Sequence, residues 1–257
     1  MPDVIRCRLC HNDGPAAKAH IEPDAFFRAK KDENGRISYV DLDAPNEDHT
    51  IQSGPWDRTI LCQNCEERFA PLDTYGVQFF RDEKFTLNRV VEDFGDVLIA
   101  EGVDQEKLKR FLLFLAWRIG VSQRAPYKSI DLGGRIDVLA SLLLSCQPVA
   151  PQAFPVVMKR YEGAAIVVRD GWNVPVGARD IHLNPCIMEQ WGGRRVLQVY
   201  LAEYVVYMAV DDAAPQEFWA TVALGATTKP AIIVKHYCQS RELVFVKEKL
   251  AAAKSDK

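Results

Sequence analysis

No run of apolar residues in this chain approaches the ~20 that a helix needs to cross a bilayer. The longest candidate, Phe111 to Trp117, is bounded by Lys109 and Arg110 before it and Arg118 after it. No membrane partner is expected. The opening residues, Met-Pro-Asp-Val-Ile-Arg, lack the basic flank and apolar core of a secretion signal. There is no internal repeat and no low-complexity tract, which excludes a repeat array. Neither charge sign is in large excess: 32 Lys/Arg stand against 35 Asp/Glu, for a net charge of −3. Of seven cysteines, Cys146, Cys186 and Cys238 are isolated, so a disulfide framework is not expected. The expected location is therefore a reducing cytoplasm.

What is present is a repeated tetrapeptide pattern. Cys7-Arg-Leu-Cys10 and Cys62-Gln-Asn-Cys65 each place two thiols on a tight turn. Two such turns supply the four soft ligands that a tetrahedral Zn²⁺ takes. Cys7, Cys10, Cys62 and Cys65 are the expected ligands of a structural zinc ion. The competing readings are four reduced thiols, or thiol redox chemistry, for which no thioredoxin-like context exists.

The rest of the pattern predicts an α+β protein in three parts. Residues 1–80 form a small zinc-stapled module, 81–150 a helical region and 151–257 a mainly β region. The first part is rich in turn signals such as Asn12-Asp13-Gly14-Pro15, Asn34-Gly35 and Ser53-Gly54-Pro55. Arg36 to Val40 reads as a short strand leaving the Asn34-Gly35 turn. A helix is expected after Cys65, with Pro71 interrupting or kinking it. Asp104 is an expected N-cap, followed by Leu108, Phe111, Leu112, Leu115 and Ile119 at helical spacing. Another helix follows Gly133-Gly134. Short apolar runs such as Ala165 to Val168, Arg195 to Tyr200, Tyr204 to Met208 and Ala231 to Lys235 read as strands. Pro148, Pro151 and Pro155 mark the expected boundary between helices and strands. The residues from about Arg241 fit either a strand or a helix. Arg118, on a buried helix, needs a carboxylate partner, or else points at a nucleic-acid phosphate.

Between the cysteine pairs lies Ala19-His20-Ile21-Glu22-Pro23. Cys-x₂-Cys, nine residues, His-Ile-x-Pro and then Ile-Leu-Cys-x₂-Cys together resemble the zinc-containing HNH endonucleases of the ββα-metal fold. A widespread bacterial group with the same knuckles is similar over residues 7 to about 124. The similarity takes in Leu61, Glu66, Phe69, Tyr75 and the string Ala116-Trp117-Arg118-Ile-Gly-Val-Ser122. The resemblance implies a ββα-like module in which His20 activates water. It also implies a catalytic Mg²⁺ or Mn²⁺ and phosphodiester hydrolysis in DNA or RNA, with bacterial defence as a fitting role. Two positions depart from the HNH pattern. Ala19 stands where an acidic residue is expected, and Glu66 stands where a His or Asn holds the catalytic ion. Glu66 is then the expected oxygen ligand, with Glu67 or Asp57 assisting.

Three roles remain open for His20: general base, structural hydrogen-bonding group, or zinc ligand. His11 is expected at the surface or beside the ligands. Residues 1–80 carry nine Lys/Arg against fourteen Asp/Glu, a net −5, whereas modules that grip nucleic acid are usually basic. The alternative function is a non-catalytic, zinc-stabilised binding or regulatory protein that docks a protein partner.

Overall fold

The computed structural model describes residues 3–28, 37–39, 49–51, 53–92, 95–145, 147–169, 172–177, 183–214, 216–240 and 243–244. It is mixed α and β, as the sequence pattern predicts. Asn34-Gly35, Cys146, His182 and the end of the chain after Val244 lie outside the described residues.

The chain opens with β1 (Val4–Arg6) and β2 (Asp13–Pro15), an antiparallel hairpin. Then come β3 (Ala19–His20), α1 (Ala25–Arg28), β4 (Ile37–Tyr39), β5 (His49–Ile51), β6 (Trp56–Asp57) and α2 (Gln63–Phe80). β4 falls where a strand was expected, and its partner is β5 downstream. β3 pairs antiparallel with β6 across the intervening α1, β4 and β5, and α2 follows β6 directly.

Pro71 does not interrupt α2, which runs 18 residues through it. Proline removes a single backbone donor. The buried face of the helix (Cys65, Phe69, Gly76, Phe79 and Phe80) holds it against the next long helix. Gly76 permits that close approach: a Cβ there would sit 2.5 Å from the Phe111 ring.

The region expected to be helical from residue 81 begins with a hairpin, β7 (Thr86–Glu92) and β8 (Gly95–Glu101). α3 (Gln105–Val121) and α4 (Arg135–Leu144) follow. Asp104 caps α3 as expected, its carboxylate accepting from the Lys107 backbone N–H at 3.0 Å. α3 is buried on most sides, from Leu108 to Val121. The proline-marked boundary is tied down on both sides. Lys109 donates to the Ala150 and Pro151 carbonyls at 2.8 and 2.9 Å. Arg110 donates to the Ser145 carbonyl, and Glu106 accepts from the Val149 N–H. Burial pulls the Lys109 pKa down to about 8.

The remaining elements are β9 (Val156–Glu162), β10 (Ala164–Arg169), β11 (Trp172–Gly177), β12 (Cys186–Trp191), β13 (Arg194–Leu201), β14 (Tyr204–Ala209), α5 (Glu217–Val222) and β15 (Ala231–His236). A seven-stranded sheet runs in the order β12-β13-β14-β9-β15-β8-β7, antiparallel except where β15 meets β9. Alternation gives its central strands two apolar faces. Met158, Leu197, Val206 and Ile232 point into one core cluster; Val157, Val196, Val205 and Ile233 point into the other. The first cluster extends without a break from Cys7 through α2 and α3 to Val234. All three parts of the chain therefore share one core.

Candidate metal centre and the groups beside it

Each knuckle is built by backbone hydrogen bonds. The Cys7 N–H donates to the Asn12 carbonyl and the His11 N–H to the Cys7 carbonyl, both at 3.0 Å. His11 closes this turn with φ 58, a left-handed conformation that His tolerates better than most residues, and its side chain is exposed. The second knuckle is the start of α2. Cys62 is the N-cap residue without a side-chain capping bond, and Cys65 lies in the first turn. Three backbone ties join knuckles more than fifty residues apart. These are Arg8 N–H to Ile60 O, Ala17 N–H to Leu61 O, and an isolated bridge between Ala16 and Cys62.

As a result the four sulfurs lie within 4.8 Å of one another. Cys10 Sγ and Cys62 Sγ are 3.9 Å apart, far too long for a disulfide. Tetrahedral thiolate–metal bonds of about 2.3 Å place sulfurs about 3.8 Å apart, so the group has the shape to hold one metal ion. Burial raises the Cys7 thiol, but N–H donors from Cys10, Cys62 and Leu9 outweigh it and bring the pKa down to about 7. Cys65 is pushed up by burial and by the neighbouring thiols. A bound cation would relieve that crowding of sulfurs.

His20 ends β3 and is half-buried, with no hydrogen-bond partner for its buried Nε2 among the described residues. Burial lowers its pKa, with Asp24 opposing and Lys18 and Arg118 adding to the effect. Glu66, one residue past Cys65, is also half-buried, and its buried Oε2 is equally without a partner. Burial raises its pKa, while Arg118 opposes. Arg118 and Asp73 thus act on both side chains. Arg118 is fully buried, stacks 4.2 Å over Phe114, and donates to both Asp73 oxygens at 2.6 and 2.7 Å. Its charge is spent on the carboxylate partner expected for it.

The assisting carboxylates do not converge on Glu66. Asp57 is buried and points the other way, accepting from the Thr59 N–H, the Thr59 hydroxyl and the Ser122 hydroxyl, each at 2.8 Å. Glu67 is exposed and accepts from Gln63. Among the described residues, the four cysteines are the sole group of three or more metal-ligating side chains within mutual reach. His236 is exposed at the end of β15, outside this group.

Sequence reasoning missed Asp73, and it named Ser122 only within the string after Ala116, not as a partner of Asp57. Asp73 lies seven positions beyond Glu66, two helical turns along the same face, a spacing that could have pointed to it. The bond from Ser122 to Asp57 spans 65 positions and carries no local signal. No helix among the described residues is long and apolar enough to cross a membrane. Comparison with family models finds no match to this chain, and neither the curated proteins nor the solved structures contain one.

Proposed function

We propose that the four cysteines bind a structural Zn²⁺ and that the module they fold is an HNH-like, metal-dependent nuclease acting on DNA or RNA. One observation carries the reading. In the module joined at its knuckles, His20 at the end of β3 and Glu66 just past Cys65 each keep a buried polar atom without a hydrogen-bond partner among the described residues. Buried orphan atoms are rare, and they call for a water, an ion or a substrate.

His20 acts as general base. Its lowered pKa keeps the imidazole neutral at physiological pH, so Nε2 is ready to accept a proton from water. Glu66 supplies one hard oxygen. A Mg²⁺ or Mn²⁺ ion held there, with water and the phosphate completing its shell, would neutralise charge on the scissile phosphate. The charges of Arg118 and Asp73 act on both groups.

The test is incubation of the purified protein with DNA and RNA in Mg²⁺, in Mn²⁺ and without divalent ion. Cleavage is expected with the ions and lost in His20→Ala, whose circular dichroism and zinc content stay unchanged. Equal cleavage by that variant would remove the reading. A second reading, a zinc-stapled binding protein without catalysis, is favoured by the failure of Asp57 and Glu67 to converge on Glu66 among the described residues. No cleavage under any of these conditions would select it.

A further inference from the structure

Beside His20 the surface carries an unusual grouping. β3 and β6 alternate strictly. Ala17, Ala19 and Asp57 turn inward and are buried, while Lys18, His20, Trp56 and Arg58 turn outward. His20 and Trp56 are directly opposite in the antiparallel register, so their side chains share one side of the ladder. Around the half-buried Trp56 ring stand three cations. Lys18 Nζ is 5.1 Å from the ring centroid, and the guanidinium carbons of Arg58 and Arg124 are at 5.8 and 4.6 Å. All three cationic side chains are exposed, and none forms an ion pair among the described residues.

Arg124 comes from the loop after α3 and is held in place. Its backbone N–H donates to the Ser122 hydroxyl, which in turn donates to the buried Asp57. Asp57 therefore positions the patch. Three exposed positive charges around one aromatic ring, of which Arg124 alone acts on a neighbouring carboxylate (the buried Asp57), contrast with the acidic balance of residues 1–80 as a whole. This combination suits a chain of phosphates with unpaired bases. Cations neutralise the backbone, and a base stacks on a flat π-face or on a guanidinium plane. Duplex bases are already stacked and cannot use the ring.

We infer that Lys18, Trp56, Arg58 and Arg124 form a binding surface for single-stranded nucleic acid that leads the strand to His20. The inference rests on the nuclease reading for its purpose, but the binding it describes can be measured without cleavage.

The experiment uses the full-length His20→Ala protein without added divalent ion, so that the probe stays intact. Fluorescence anisotropy follows a labelled 20-nucleotide single strand, its duplex, polyglutamate and anionic vesicles. The single strand is expected to bind tighter than the duplex. Trp56→Ala should weaken it about tenfold, within the range for loss of one base stack. Lys18→Gln, Arg58→Gln and Arg124→Gln, all at exposed positions, should each weaken it and reduce the salt dependence by about one phosphate contact. Unchanged affinity in the triple Gln variant would overturn the inference, as would equal binding of polyglutamate or vesicles. The two readings fail separately. Cleavage by the otherwise unmodified protein with a KM untouched by these four substitutions leaves the nuclease and removes the surface. Trp56-dependent binding with no cleavage does the reverse.

Discussion

The two ends of this molecule are stabilised by different means. The seven-stranded sheet has central strands of six to eight residues with apolar side chains buried on both faces. The amino-terminal module has strands of two and three residues. Ladders that short are marginal in water by themselves. Around its short ladders the module buries Leu9, Ala17, Ala19, Ile21 and Ile60, and its larger buried rings, Phe26, Phe27, Phe69, Phe79 and Phe80, sit on α1 and α2. What the sheet gains from area, the module gains from four sulfurs around a proposed zinc ion and from leaning on α3. The contrast explains how the proposed reactive edge can sit on a stable body. Orphan polar atoms at His20 and Glu66 are costly, and a metal-stapled loop can hold them where a small apolar core could not.

The contrast can be broken most severely at the thiols. Cys62→Ser should abolish zinc retention and unfold the module, because structural zinc contributes about 10 kcal/mol or more in small metal-folded units. Hydrogen exchange should show residues 3–27 losing protection while β9, β13 and β14 keep theirs. Equal protection in both regions would show that the sulfurs are not needed.

The next largest effects fall on the shared core, one on each side of it. Arg118→Ala leaves Asp73 partly buried without its partner and should cost about 3–5 kcal/mol in urea unfolding. Met158→Ala, in the middle of the sheet, should cost about 2–5 kcal/mol by opening a cavity. The two differ in a second readout. Arg118→Ala should change the His20 pKa measured by NMR, and Met158→Ala should not. An identical imidazole titration in both would separate His20 from Arg118.

The smallest effect is at Asp57. Its carboxyl is raised by burial, but the Thr59 and Ser122 hydrogen bonds more than offset this and hold it below the usual carboxylate range. A depressed folded pKa gives stability that is complete above the ordinary Asp value and is lost as pH falls through the folded one. Asp57→Asn should therefore cost about 1–2 kcal/mol at neutral pH. The gap to the parent should narrow in acid. A constant gap from pH 7 to pH 2 would contradict the assignment.

The sequence pattern revealed those features whose signal is local. The paired knuckles, the Asp104 cap and the buried stripe of α3 each depend on residues within a few positions of one another. Arg118 was legible as a buried charge in need of a carboxylate. Its partner Asp73 was not named, because the pairing spans 45 positions and arises only once α2 packs on α3. The β7–β8 hairpin falls where the sequence pattern predicts helix, for a physical reason. β7 lies at the sheet edge, largely exposed, and so lacks apolar alternation. The apolar run Val97 to Ala100 in β8 is too short for periodicity to tell strand from helix. The Trp56 patch was invisible for the same reason as Asp73. Lys18, Trp56, Arg58 and Arg124 come together only through the β3–β6 register and the Asp57–Ser122 tie.

The most direct test of the central claim is native mass spectrometry of the protein as purified, read for metal mass and stoichiometry. The account predicts one zinc ion per chain, retained through buffer exchange and absent from Cys62→Ser. A folded chain that carries no metal, and whose melting temperature is the same with and without chelator, would contradict it.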